Sequence, residues 1–365
     1  MIIPETPMAH HTIRPAYSQL IDRLNRFPQG APPAEALYRI LALLVTEREA
    51  ELVSTLPIRP FTAMQAAERW KMEEAAARVI LDELAGRAIL LDLEKNAEKT
   101  YLLPPPMAGF FEFSRMRLGG NPDQKALAEL YYQYLNVEED FVRDLFANGE
   151  TRMGRAFVQE RALTEENALH VLDYERASGV IRDSWAMSVG TCYCRHKMLH
   201  VGRACAAPLD ICMTFNTAAD SLARYGYARK VEKEEGLDLL HKAWDLNLVQ
   251  FGENVREGVS FICNCCGCCC EAMIAARRFG FMHPVHPSNF LPVVDTSACT
   301  GCGKCVEICP VEAMTLVSAN DPHNPRRRHA RPDGDACLGC GVCTRVCPGG
   351  FIRLESRPRR TITPL

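Results

Sequence analysis

The sequence lacks several features that would fix its class at once. No basic stretch leading into an apolar run opens it at Met1-Ile2-Ile3-Pro4-Glu5-Thr6-Pro7, and no twin arginine precedes one, so no secretory leader is expected. Long hydrophobic runs are missing: stretches such as Ile40-Leu41-Ala42-Leu43-Leu44-Val45 fall far short of the roughly 20 residues a membrane helix needs. Charge of one sign is missing too. There are 42 lysines and arginines against 45 acids, a net of −3, which gives no bulk reason to bind nucleic acid or an anionic membrane. Neither a glycine-rich dinucleotide loop nor a P-loop is present, so NAD, FAD and ATP chemistry have no support in the chain. These absences point to a cytoplasmic protein. Its 365 residues allow two or three domains.

Cysteine is abundant where the rest is ordinary, with 18 in the chain. In a reducing compartment, clustered cysteines are metal or redox sites rather than disulfides. The densest tract is Phe261–Cys270, where Cys263, Cys265, Cys266, Cys268, Cys269 and Cys270 make up six of ten residues. Core packing does not call for so many thiols side by side, and adjacent cysteines are poor disulfide partners. Iron–sulfur ligation is the usual reason for such density. Upstream lies Thr191-Cys192-Tyr193-Cys194-Arg195-His196-Lys197, followed by His200, Cys205 and Cys212. The CxC pair projects two thiolates from one strand end, and Cys205 and Cys212 are placed to complete four ligands. Arg195, His196 and Lys197 are expected to favour the thiolates by their positive charge. Ten thiols permit two further [4Fe–4S] clusters with two to spare, one larger or open-coordinated cluster, or a zinc site. Their partition is not written in the spacing. His200 is expected to be an ordinary interior or surface histidine rather than a ligand.

The C-terminal cysteines carry a more explicit code. Cys299-x2-Cys302-x2-Cys305-x3-Cys309-Pro310 is followed by Cys337-x2-Cys340-x2-Cys343-x3-Cys347-Pro348. Three thiolates two residues apart in a tight loop bearing Gly301 and Gly303, or Gly339 and Gly341, can reach three corners of one cubane, with backbone N–H groups aimed at its sulfides. A zinc ribbon uses two CxxC pairs and has no need of triplets or of the cysteine–proline that follows each. The pattern resembles the bacterial two-cluster [4Fe–4S] ferredoxin over roughly residues 291–355. That resemblance implies one cluster on Cys299, Cys302, Cys305 and Cys347, and a second on Cys337, Cys340, Cys343 and Cys309. Two departures stand out: the connection between the motifs is long and basic, with Arg326, Arg327, Arg328 and Arg331, and Cys347 is followed by Pro348-Gly349-Gly350-Phe351. Residues 321–365 hold nine arginines against Asp321, Asp333, Asp335 and Glu355. This basic arm is suited to raising a cluster potential or steering an acidic redox partner, or is simply a solvated tail.

The rest of the chain predicts an α+β fold in several units. Residues 1–30 read as a polar arm. Residues 31–103 resemble a winged-helix domain: a helix over Ala34–Thr55, helices at Thr62–Arg69 and Glu73–Ala85, and a hairpin of Ile89–Leu93 with Tyr101–Leu103. Residues 60–103 carry six basic side chains against eight acidic ones, and a recognition helix opening on Glu73-Glu74 would meet phosphates with like charge. Protein docking or a structural role is therefore expected over nucleic-acid binding. Residues 104–163 read as a helical linker with the aromatic patch Met107–Phe113. Residues 164–290 read as a central cysteine-rich α+β domain with a strand at Ala168–Leu172, a cap at Asp173 and a helix capped by Asn216. Residues 291–355 are the ferredoxin-like unit and 356–365 a basic tail. The CYCRHK and CNCC-x-CCC motifs ahead of a two-cluster ferredoxin resemble multi-domain 4Fe–4S ferredoxin-type proteins of anaerobic bacteria, a resemblance that bears on architecture more than on function. The expected role is an iron–sulfur electron-transfer protein with a redox partner protein. The alternatives are an oxidoreductase with a substrate-binding central cluster and a redox-sensing winged-helix regulator.

Overall fold

The computed structural model describes residues 15–27, 30–95, 98–116, 123–147, 152–169, 171, 175–280 and 283–360. Tyr17, Leu20, Ile21 and Leu24 recur at three- and four-residue spacing and form the buried face of the helix Pro15–Leu24. That helix packs on Glu47–Ser54, so part of the expected polar arm belongs to the core. The single helix expected over Ala34–Thr55 is two, Glu35–Leu44 and Glu47–Ser54. The cause is local: the Thr46 side chain accepts from the Glu49 N–H while the Glu49 side chain accepts from the Thr46 N–H, a capping box that restarts the helix. Helices Ala63–Trp70 and Glu74–Gly86 follow, parted by Lys71 at φ 54°. An antiparallel sheet in the order Phe61–Thr62, Glu98–Leu102, Leu91–Lys95 completes this region. The aromatic patch is internal. Phe111 is fully buried and meets Tyr131 and Tyr134 edge-on, with ring centroids 5.2 and 6.1 Å apart.

The middle of the chain builds a six-stranded antiparallel sheet in the order Gly154–Ala156, Val249–Glu253, Phe261–Cys265, Asp210–Phe215, Met187–Thr191, Ala228–Lys230. Its first edge strand comes from the segment expected to be helical linker. The strand expected at Ala168–Leu172 is not formed at its start. Thr164 caps the short helix Glu165–Ala168 instead, its two leading glutamates suiting a helix N-terminus; Asp173 lies outside the described residues. Asn216 does not cap from its side chain. It opens the helix Asn216–Arg224 at φ 55° and accepts from the Trp185 N–H. One face of the sheet presents Ile211, Met213, Phe215 and Ile262 to a core shared with the helices Ala177–Asp183 and Lys233–Asp245. Strand alternation then sends Cys212, Cys263 and Cys265 to the other face.

In the C-terminal part, Phe290–Val294 pairs with Ile352–Ser356 and Met314–Ser318 with Arg328–Pro332, all antiparallel. Short helices Lys304–Glu307 and Val342–Val346 follow the two cysteine loops. The basic insertion is thus an ordered hairpin strand.

Asp92 joins the N-terminal region to the central sheet. Its carboxylate, fully buried, accepts from Ser221 Oγ (2.9 Å), Arg224 Nη1 (2.6 Å) and Tyr225 Oη (2.8 Å), and lies 3.1 Å from Lys99 Nζ. Burial pushes the carboxyl upward, but the hydrogen bonds from Tyr225, Ser221 and Lys99 and the Arg224 charge outweigh it and hold it below its ordinary value. A depressed native value means that the stabilisation is complete above the unfolded value of about 3.9 and is lost as pH falls through the native one. Denaturant unfolding followed against pH is expected to show this loss in acid, and Asp92→Asn to be less stable at neutral pH with a flatter acid limb.

Candidate metal centres

The C-terminal thiols fall into the two crossed sets. Cys299, Cys302, Cys305 and Cys347 line one pocket together with Leu316, Ala330 and Ile352. Cys309 lies instead among Cys337, Cys340 and Cys343, whose thiols feel its charge. The turns that make this possible need glycine. Gly301 and Gly339 have φ of +68° and +66°, and an added Cβ would meet the Arg328 carbonyl oxygen at 2.5 Å and that of Phe290 at 2.2 Å. Backbone N–H groups are aimed at sulfur: Ala313 at Cys309 (3.2 Å), Phe351 at Cys347 (3.3 Å) and Gly339 at Cys337 (3.4 Å). Such donors favour thiolates, whereas burial pushes the Cys340 thiol up to about 12. Metal binding therefore has to displace protons here.

The ten central cysteines separate into two groups, and the expected quartet of Cys192, Cys194, Cys205 and Cys212 does not form. The first group runs through neighbouring thiols: Cys192 lies beside Cys194 and Cys212, Cys212 beside Cys263, Cys263 beside Cys265, Cys265 beside Cys270, and Cys270 beside Cys194. The result is a closed ring of six thiols, four of them buried and Cys212 and Cys263 partly so. Sheet register explains it: Met213 pairs with Ile262 and Gly190 with Cys212, which sets Cys212 between Cys192, just past the end of one neighbouring strand, and Cys263, in the middle of the other. The remaining four, Cys205, Cys266, Cys268 and Cys269, bring their Sγ atoms within 4.8 Å of one another. Cys205 sits on a loop after the helix Tyr193–His200 and reaches only this second group.

Of the three basic residues expected to face the thiols, one does. Successive residues on the helix Tyr193–His200 point about 100° apart, so Arg195, His196 and Lys197 diverge. Arg195, buried, donates to the Pro208 oxygen (2.8 Å) and the Asn264 oxygen (2.6 Å). Burial lowers its pKa, but the charges of Cys192, Cys266, Cys212 and Cys265 more than reverse this and raise it. Arg195 is therefore the fixed cation between the two groups. His196 turns to the Arg115 oxygen and to His200 (2.9 and 3.1 Å), and burial lowers its pKa to about 4, so it brings no charge at neutral pH. Lys197 pairs with Glu271, both buried, and Asn136 bonds to both. This triad was not foreseen, although a glutamate directly after Cys270 and a lysine three after Cys194 were visible in the sequence. It clamps together the two segments that carry those cysteines.

The central tract touches the C-terminal unit. A Cβ on Gly267 would lie 2.7 Å from the Pro310 oxygen and 2.8 Å from its Cα, so the two backbones are in direct contact next to Cys266, Cys268 and Cys309. Gln159, buried, adds a second tie: its N–H donates to the Cys340 oxygen (3.0 Å) and its side chain to the Leu248 oxygen (2.7 Å).

Removing one partner of a buried ion pair costs about 3–5 kcal/mol. Lys197→Met is expected to lose that much in denaturant unfolding, and Lys197→Met with Glu271→Leu to recover most of it.

Residues 298–351 match the family model of the 4Fe–4S dicluster domain. Comparison of the chain with curated proteins and with solved structures gave no match. The C-terminal region is thus of ferredoxin iron–sulfur type, and the residues present fit that cofactor: a cavity walled by four thiols, left-handed glycine turns and N–H groups directed at sulfur. No helix among the described residues is long and apolar enough to cross a membrane.

Proposed function

We propose that this chain is an iron–sulfur electron-transfer protein that works between a redox partner and a central cysteine-ligated metal site, in the cytoplasm. In this reading Cys299, Cys302, Cys305 and Cys347 hold one [4Fe–4S] cluster and Cys337, Cys340, Cys343 and Cys309 the other, each able to accept or give up one electron when bound. The observation that carries the reading is the backbone contact between Gly267 and Pro310, which leaves no solvent gap between the C-terminal and central thiols at that point. The outer end is suited to a partner. Cys302 is exposed, and Arg326, Arg328 and Arg331 are exposed on the hairpin whose Arg328 carbonyl lies against Gly301. A cationic rim beside an exposed ligand favours a partner with an acidic docking face. The six-thiol ring serves as the internal redox site.

In the same reading residues 31–103 are a winged-helix-like domain, followed by helices that lead into the edge strand Gly154–Ala156. It meets protein rather than nucleic acid, because Glu73 and Glu74 begin the helix that would enter a groove.

Anaerobically purified protein is expected to carry more than roughly eight iron per chain, eight being the content of two cubanes, with EPR signals that appear on reduction. Cys347→Ser is expected to alter the signal of the cluster on the first cysteine triplet. Protein with zinc as its main metal and no reducible signal would overturn the reading.

A further inference from the structure

The spacing of the second central group, Cys205, Cys266, Cys268 and Cys269, bears on what it holds. Around a single ion with metal–sulfur bonds of about 2.3 Å, tetrahedral geometry sets the four sulfurs about 3.8 Å apart. The measured separations are 3.5 Å for Cys205–Cys266, 3.6 Å for Cys268–Cys269 and 3.9 Å for Cys205–Cys269, and all four atoms lie within 4.8 Å of one another. A cubane carries its thiolates on the corners of a body of four irons and needs them spread wider than a single ion does. The separations are also much too long for disulfides, whose sulfurs lie about 2.05 Å apart.

We propose that Cys205, Cys266, Cys268 and Cys269 form a closed tetrathiolate site for one tetrahedral metal ion of the zinc class, distinct in kind from the iron–sulfur sites. Four thiolates on a divalent ion leave two negative charges. Arg195 is the cation built to offset them: it feels the Cys266 charge and its guanidinium bridges Pro208 and Asn264. Those two residues belong to the loop carrying Cys205 and to the tract carrying the other three ligands. Such support of the ligands by a fixed neighbour is what metal sites ordinarily require. A site with four protein ligands has no open position for substrate, so its role is to brace. It pins the tract on either side of Gly267, the residue that meets Pro310. The assignment does not depend on the electron-transfer reading, since it concerns nuclearity and metal identity alone.

The test is metal and sulfide analysis of full-length protein purified anaerobically, wild type against Cys205→Ser, which removes the one ligand outside the tract. The expected result is about one zinc per chain in the wild type, lost in Cys205→Ser while iron and acid-labile sulfide stay at the wild-type level. Because the substitution may unfold the loop, wild-type protein exchanged with cobalt supplies a second readout. It should show the visible absorption of a tetrahedral thiolate-bound cobalt ion at one equivalent. Loss of about four irons together with sulfide on Cys205→Ser, absence of zinc from the wild type, or cobalt uptake without tetrahedral thiolate bands would each overturn the proposal.

Discussion

The close approach of Gly267 to Pro310 is the constraint on which the arrangement of sites depends. A side chain at residue 267 would strike backbone atoms at 2.7 and 2.8 Å, and backbone cannot swing aside as a flexible side chain can. The glycine lies between Cys266 and Cys268, and the proline follows Cys309, so one contact fixes the spacing of thiols from two parts of the chain 42 residues apart in order, from 267 to 309. Gln159 and the shared core around Val311, Leu338 and Val342 hold the same face together.

A second constraint is charge. Thiolates buried near one another repel and lose hydration, and the protein supplies few counter-ions. Arg195 stands between the two central groups, and the neighbouring lysine is neutralised by Glu271 rather than offered to sulfur. Metal held by these thiols would carry most of the compensation and would tie folding of the central region to loading. The buried pair Lys197–Glu271, with the half-buried Asn136, works differently: it holds Cys194 and Cys270 in place by an ion pair that is costly only when broken.

Much of this was legible in the sequence, and the failures have physical reasons. The triplet spacing with cysteine–proline identified the C-terminal unit because ligand geometry is local there, three thiols in one loop. The central partition was not legible because it depends on strand register: Cys212 joins the ring through its place beside Cys263, while Cys205, seven residues earlier, sits on a loop that reaches the other group. Spacing alone had made them partners. The break at Thr46 could have been found, since Thr46 and Glu49 spell a capping box; the apolar periodicity running across it concealed the signal. The strand Gly154–Ala156 is three residues long, too short to show alternation. The error over His196 and Lys197 came from treating three consecutive cations as one patch, although a helix points them in different directions.

The proposed route for electrons between the C-terminal and central sites runs through the Gly267–Pro310 seam. Gly267→Val tests it most directly, with intramolecular electron equilibration followed by rapid-freeze EPR after substoichiometric reduction of anaerobic protein. Wild-type iron content and unchanged C-terminal signals are expected, with slower appearance of the electron at the central site. Equilibration at the wild-type rate in a fully loaded variant would contradict it.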